Sequence, residues 1–159
     1  MICAIFATDV LGAFAYDNGL PWPRNKEDMN FFKTLTTNQV VVMGRSTWDS
    51  KDMLRPLPNR TNIVVTNKPL EQPDIMTVSG DIPTVLDGIQ KYYPSNDIFV
   101  IGGVNLLLQA RPAVEKIYQT VVPGEYTADV KFDIDEYVKG YYTTKITDRF
   151  TAIFYEHQR

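Results

Sequence analysis

Apolar residues fall along this chain in short blocks, and two periods alternate. Ile2 to Thr8 is almost unbroken apolar sequence, the pattern of a strand covered on both faces. Val40 to Met43, Asn62 to Thr66, Ile98 to Ile101 and Lys116 to Val122 read the same way, and Ile75 to Val78 is a weaker copy. Between them a helical period appears. Asn25 can cap a helix whose first turn is Lys26, Glu27 and Asp28, whose stripe runs through Phe31, Phe32 and Leu35, and which fades near Thr36 and Thr37. Arg45 to Trp48 starts a short helix after Gly44. Asp81 and Pro83 open another, with Val85, Leu86, Ile89, Tyr92 and Tyr93 on its apolar side and Pro94 as its stop. Val104 to Ala110 is a fourth, closed by Arg111 and Pro112.

The remaining stretches read as connections. Asp9 to Gly19 is loop-like, with Gly12, Asp17, Asn18 and Gly19 as turn formers, and Pro21 and Pro23 around Trp22 delay the helix that follows. Arg55 to Asn59 is an extended or turn segment. Near the C-terminus, Tyr141 to Thr147 and Phe150 to Glu156 read as strands with only Asp148 and Arg149 between them, too short for a crossover, so they must form an antiparallel hairpin. The pattern predicts an α/β fold: a mixed, mostly parallel eight-stranded sheet flanked by about four helices, with an antiparallel C-terminal hairpin. In open sheets of this kind ligands sit at the carboxyl ends of the strands.

Composition narrows the classes. At 159 residues, one domain spanning 1–159 is expected. No apolar run reaches the roughly 18 residues a membrane span needs, and Met1 to Phe6 has no positively charged leader region, so the start reads as a strand. The one cysteine, Cys3, fits a buried position in a reducing, cytoplasmic setting. A net charge of −3 without a lysine–arginine cluster argues against nucleic acid as a partner. With one cysteine and one histidine, His157, far apart and the latter read as a surface residue, neither a Cys–His pair nor a transition-metal cluster is available.

Three places could carry chemistry. Gly44-Arg45-Ser46-Thr47 and Gly102-Gly103-Val104 are strand-to-helix junctions where glycine lets backbone approach and a helix start offers free N–H groups to an anion. Neither is a dinucleotide fingerprint or a phosphate-loop lysine motif, and each taken singly is as readily a tight turn; two in one sheet point to a ligand with more than one phosphate. Asp28 shares a helix face with Phe31, Phe32 and Leu35. An acid in a first helical turn commonly serves the helix dipole, whereas one held against an apolar wall is partly desolvated, as in many acid–base sites. Taken alone, Trp22 and Trp48 read as packing residues and Arg60 as a solvated arginine.

Together these motifs resemble dihydrofolate reductase over nearly the whole chain. The matching residues are Asn18 to Trp22, Asp28 with Phe31-Phe32, Val42 to Trp48, Arg55 to Arg60, Val100 to Gly103 and Tyr118 to Thr120. The resemblance implies that Asp28 is the active-site carboxylate gripping the pteridine N3 and 2-amino group, that Trp22 holds an ordered water beside it, and that Thr120 hydrogen-bonds the carboxylate. Ile5, Ala7, Met29, Phe32 and Leu57 would wall the substrate pocket, with Met53 a weaker candidate, and Arg60 would pair with the substrate's α-carboxylate. Arg45, Ser46 and Thr47 would take the 2′-phosphate and pyrophosphate of NADPH, with Thr66 and Asn67 beside the adenosine. The cofactor set is completed by Gly44, Ile101, Gly102, Gly103, Val104, Asn105 and Leu106, by Ala7, and by Phe14, Asn18 and Leu20 of a mobile lid spanning Asp9 to Arg24. Gly102-Gly103 would be a cis pair.

The implied function is NADPH-dependent reduction of 7,8-dihydrofolate to tetrahydrofolate, with hydride transfer to C6 and protonation of N5, in support of one-carbon metabolism and thymidylate synthesis. A cytoplasmic monomer that also takes antifolate molecules is expected, with no metal, membrane or nucleic acid. A folate- or nucleotide-binding protein without efficient turnover, or a reductase of a related pterin or pyrimidine, are the competing readings. The chain departs from the family at Phe14-Ala15, usually Ile-Gly; at Leu107, commonly a tyrosine; at Asn105; in about two extra residues between Ser50 and Leu54, near the substrate tail; and in the short final hairpin connection.

Overall fold

The computed structural model describes residues 1–147 and 151–157. In chain order its elements are β1 (Ile2–Asp9), β2 (Ala13–Ala15), α1 (Lys26–Thr36), β3 (Val40–Gly44), α2 (Arg45–Trp48), β4 (Thr61–Val65), β5 (Met76–Val78), α3 (Ile82–Tyr92), β6 (Ile98–Gly102), α4 (Val104–Ala110), β7 (Lys116–Val122), β8 (Val130–Lys131), α5 (Ile134–Tyr137), β9 (Tyr141–Thr147) and β10 (Thr151–His157). Eight strands form one sheet in the order β5-β4-β3-β6-β1-β7-β10-β9. Strands from β5 to β7 run parallel, and β10 is antiparallel to both β7 and β9. The hairpin expected at the C-terminus is therefore present. Asp148, Arg149, Phe150 and the side chain of His157 lie outside the described residues.

Side-chain alternation on the strands separates two apolar layers. On one face, Ile2, Ala4 and Phe6 of β1 pack with Val40, Val42, Leu86, Leu106 and Leu107, under α3, α4 and α5. On the other, Cys3 and Ile5 pack with Val41, Met43, Trp48 and Phe99, under α1. Each fully buried Leu, Ile or Phe of these layers contributes about 1.5–3 kcal/mol. Cys3 is 1% exposed in the middle of this arrangement, and burial pushes its thiol pKa up to about 12.

The structure adds elements that the hydrophobic pattern does not predict. β2 and β8 form a separate two-stranded sheet, and α5 is a fifth helix where about four are expected. Asp133 caps α5 by accepting from Glu136 N at 3.2 Å. β2 falls inside the segment expected to be the lid, and β8 pairs with it.

Candidate active site

Asp28 is placed by its helix. Asn25 caps α1, its Oδ1 accepting from Asp28 N at 3.1 Å, so the backbone N–H of Asp28 is satisfied locally and its side chain is free for other work. Phe31, Phe32 and Leu35 press α1 onto the Cys3–Ile5 face of β1. The register pairs Ala7 of β1 with Thr120 of β7, which puts Thr120 under the first turn of the helix. The Asp28 carboxylate turns inward and is hydrogen-bonded by the Thr120 side chain. Burial raises its pKa above the ordinary carboxylate value, and the Thr120 bond pulls back against that rise. The macrodipole role is left to Glu27 beside it, which is exposed.

Trp22 is 5% exposed. Its ring meets Tyr126 edge-on, with centroids 6.2 Å apart, and its buried Nε1 has no hydrogen-bond partner within the protein. A buried indole N–H in that state is a donor available to a ligand or an ordered water.

Of the expected pocket wall, Ile5, Phe32, Leu57 and Met53 share one apolar cluster. Ala7 is half-buried beside them on β1. Met29 differs: it is exposed, and its sulfur accepts from Arg24 Nε at 3.2 Å. Arg60 is half-buried rather than solvated, and that burial lowers its pKa. Its Nε donates to Pro58 O at 2.8 Å and its Nη1 to Thr36 Oγ1 at 3.1 Å, with the guanidinium 5.9 Å from the centre of the Phe32 ring. Nη2 is the remaining corner of the fork.

Two residues that sequence reasoning missed hold this corner. Thr36 is 0% exposed and bridges Arg60 to α1 by donating to Phe32 O at 2.8 Å. Asn62, also buried, clamps the preceding turn: its Oδ1 accepts from Leu57 N at 3.0 Å, and its Nδ2 donates to Leu57 O at 2.9 Å and Arg60 O at 3.1 Å. A polar residue at the head of an apolar strand run was the available signal.

The two glycine junctions meet. A shift in the β3–β6 register sets Met43 beside Gly102, so a Cβ on Gly44 would lie 3.7 Å from both Gly102 O and Gly103 N. The Gly102–Gly103 peptide is cis. Gly102 has φ +128, and a Cβ there would stand 3.3 Å from Phe14 Cζ and from Thr47 Oγ1; one on Gly103 would stand 3.3 Å from Ser46 Oγ. Backbone thus lines the groove where side chains would fill it. The helices that start here have no side-chain cap.

Gly44, Arg45, Ser46, Gly103, Val104, Asn105 and Leu106 border a cleft of about 420 Å³. Arg45 Nε is tied to Asp49 Oδ2 at 3.1 Å. Thr66 turns the chain at the end of β4, donating its N–H to Val78 O at 2.9 Å, and Asn67 is exposed next to it. Ile101 packs on the α1 face. Leu107 is core, not cleft: it is fully buried, and its carbonyl accepts from Tyr137 OH at 2.9 Å. A larger cleft of about 690 Å³ lies between α4 and α5; of the expected site residues only Val104 borders it.

The segment expected to be the lid is held from two sides. From one side Asp129 N donates to Ala15 O at 3.1 Å, and Asp129 Oδ2 accepts from Asp17 N at 2.9 Å. From the other, Asn18 Nδ2 donates to Asp49 O at 3.1 Å, and Asn18 O accepts from Ser50 Oγ at 3.2 Å and Lys51 N at 3.1 Å. At the lid's root Asp9, 2% exposed, accepts from the amides of Leu11, Ala13 and Tyr126 at 2.8–2.9 Å. The segment with the extra residues, placed near the substrate tail in the sequence reading, divides. Met53 joins the pocket wall, while Lys51 and Asp52 turn to the lid.

A carboxylate on the apolar side of the sheet, beside a glycine-lined cleft with an arginine at the ends of β3 and β6, is an arrangement suited to a small polar ligand next to a phosphate-bearing one. A dihydrofolate reductase family profile matches residues 1–153. The chain is 37% identical over 137 residues to dihydrofolate reductase of Bacillus subtilis (strain 168), covering 86% of this chain and 78% of that one. It is 36% identical over 143 residues to dihydrofolate reductase type 8 of Escherichia coli, covering 87% and 83%. A solved dihydrofolate reductase from Enterococcus faecalis, complexed with NADP(H) and RAB-propyl, superposes with a TM-score of 0.77 at 26% identity, over 100% of this chain and 97% of that one. The chain belongs to the dihydrofolate reductase family. No helix among the described residues is long and apolar enough to cross a membrane.

Proposed function

We propose that this chain, as one domain over residues 1–159, reduces 7,8-dihydrofolate to tetrahydrofolate with NADPH. It would act as a cytoplasmic monomer supplying one-carbon metabolism and thymidylate synthesis. The observation that carries the reading is Asp28: a carboxylate in the first turn of α1, turned onto the apolar face and hydrogen-bonded by buried Thr120, with a raised pKa. Ionised, it accepts from the N3–H and 2-amino group of the pteridine and fixes the ring's orientation. Ile5, Ala7, Phe32 and Leu57 provide the apolar walls, with Met29 at the exposed rim. Arg60, pre-aimed by Pro58 and Thr36, takes the α-carboxylate of the substrate's glutamate tail with the edge of its fork.

The cleft fits the cofactor. Arg45, Ser46 and Thr47 hold the 2′-phosphate and pyrophosphate, and the bare backbone at Gly44, Gly102 and Gly103 admits them closely. Val104, Asn105 and Leu106 form the cleft's α4 side, Thr66 and Asn67 flank the adenosine, and Ile101, Ala7 and Phe14 border the nicotinamide. Bound NADPH supplies the hydride that C6 accepts. The proton for N5 comes from water, which Trp22 Nε1 is free to hold, while the Asp28 charge favours the protonated ring. When the lid covers the bound cofactor, Asn18 and Leu20 would help to exclude bulk water. Dihydrofolate-dependent NADPH oxidation tests the assignment. Asp28→Asn should lose roughly a hundredfold or more of that activity, the scale of removing a placed charge-stabilising group. Normal turnover by the variant at neutral pH would remove Asp28 from the mechanism.

A further inference from the structure

The lid tip is a preformed turn. Tyr16 and Gly19 exchange backbone hydrogen bonds at 2.9 and 3.0 Å, and the two residues between them, Asp17 and Asn18, both have positive φ, 49° and 57°. That is the geometry of a tight two-residue hairpin, which moves as a unit. One firm contact beside it therefore positions the whole tip. The next residue supplies that contact: Leu20 N donates to Asp52 Oδ2 at 2.6 Å, a short, charge-assisted bond. Pro21 has a fixed φ and joins Leu20 directly to Trp22, so the place of Leu20 bears on the place of Trp22.

The packing around Gly19 points the same way. Gly19 is buried although Asp17, Asn18 and Leu20 around it are exposed. A Cβ on Gly19 would stand 2.5 Å from Asp52 Oδ2 and 2.6 Å from Lys51 Cε. The two side chains thus close over the tip like a clasp. The Lys51–Asp17 ion pair, 3.5 Å long with both side chains mostly exposed, adds little by itself. The clasp is built on the segment that follows α2. Asp49 there ties Arg45 at 3.1 Å and accepts from Asn18 Nδ2 at 3.1 Å through its own carbonyl. The cofactor side of the site and the lid tip therefore meet in four consecutive residues, 49–52.

We propose that Asp52 is a positioning residue for the reaction: by accepting the Leu20 amide it holds the lid tip down and sets how fast NADPH leaves. The role rests on the lid and cofactor assignments of the proposed function. Asp52→Ala removes the acceptor. Gly19→Ala keeps the Asp52 side chain but displaces its carboxylate, at a glycine whose backbone conformation alanine can adopt. Asp52→Asn keeps an oxygen that can accept. NADPH release is followed by stopped-flow displacement, and Leu20 amide exchange by NMR on the ligand-free protein.

Asp52→Ala and Gly19→Ala should each speed NADPH release about three- to tenfold, the scale of one ordinary net hydrogen bond, because solvent at this exposed site takes back much of the charge assistance. Leu20 exchange should rise with it, the acid limb of the kcat/KM profile should stay where it is, and Asp52→Asn should recover most of the wild-type rate. Unchanged release and exchange in Asp52→Ala, or an Asp52→Asn as fast as Asp52→Ala, overturns the proposal. Absent dihydrofolate turnover in the wild type would overturn the proposed reaction instead. Leu20 exchange would still report on the clasp, because it needs neither cofactor nor catalysis.

Discussion

Thr120→Val isolates the one hydrogen bond that tempers Asp28. Threonine and valine have nearly the same shape, and both suit a strand. Thr120 is 2% exposed on β7, so no solvent can replace the hydroxyl. Burial already pushes the Asp28 pKa up, and Thr120 pulls it back; without the hydroxyl the pKa climbs further. A hydrogen bond to a charged group is worth about 1.5–3 kcal/mol, and at about 1.4 kcal/mol per tenfold the ionised carboxylate becomes roughly ten- to a hundredfold harder to form. The ionised form is the one that grips the pteridine. The acid limb of kcat/KM for dihydrofolate should therefore move to higher pH, neutral activity should fall, and alkaline activity should return close to wild type. The assay is NADPH oxidation followed across pH at subsaturating dihydrofolate. A loss of the same size at every pH would mean a damaged pocket, and an unmoved limb would mean that Thr120 does not set the Asp28 charge. Either result refutes the reasoning.

Three further outcomes can be measured. The folded-state pKa of Asp28 is raised by burial, so its contribution to stability is fully present below the unfolded carboxylate pKa and is lost as pH rises through the folded value. Asp28→Asn should then melt higher than wild type at neutral pH despite its expected loss of activity, and a lower Tm in calorimetry would reverse that sign. Thr36→Val removes the Arg60 Nη1 partner. KM for dihydrofolate should rise roughly tenfold with KM for NADPH unchanged, since about 1.5 kcal/mol of a charged hydrogen bond is lost; equal rises in both would point to general unfolding. For Asp9, burial acts to raise the pKa, but the amides of Tyr126, Ala13 and Leu11 and the charge of Lys131 outweigh it and the pKa is lowered. Its stabilisation is present above the unfolded carboxylate pKa and fades as pH falls through the folded one. Asp9→Asn should cost about 1–3 kcal/mol at neutral pH in denaturant melts and less in acid, where the wild type has lost the same interaction; a pH-independent cost would dismiss the ionic account.

Much of the scaffold was legible because it follows periods. The unbroken apolar runs of β1, β3 and β6 and the Asn25 cap with its Phe31–Phe32–Leu35 stripe settle the buried strands and α1. The same stripe makes Asp28 a candidate, but a first-turn acid reads as readily as a partner of the helix dipole, and the resemblance of the whole motif set is what singles it out. β2 and β8 were not legible: three and two residues carry no period, and they exist because Ala13 and Ala15 find Lys131 and Val130 more than a hundred residues away. α5 is a single turn, too short for a helical period to show. Arg60 illustrates the limit in the site. Its type and the turn before it were visible, but its rigidity comes from Thr36 and Pro58, whose nearness is a product of packing. Lys51 and Asp52 stood out only as extra length, and the lid's use of them depends on where the α2 segment ends in space.

Cys3 offers something the rest of the chain does not. It is the sole thiol in 159 residues, and it sits in β1 between Phe99 of β6 and Lys116 of β7. A thiol that deep, with its pKa pushed up to about 12, stays silent toward a disulfide reagent until the middle of the sheet parts. The wild-type chain therefore carries its own stopwatch for global opening. The slowing of that clock when NADPH or an antifolate is added measures how tightly each is held, through the stabilisation of the folded state, in any variant and whether or not that variant turns over.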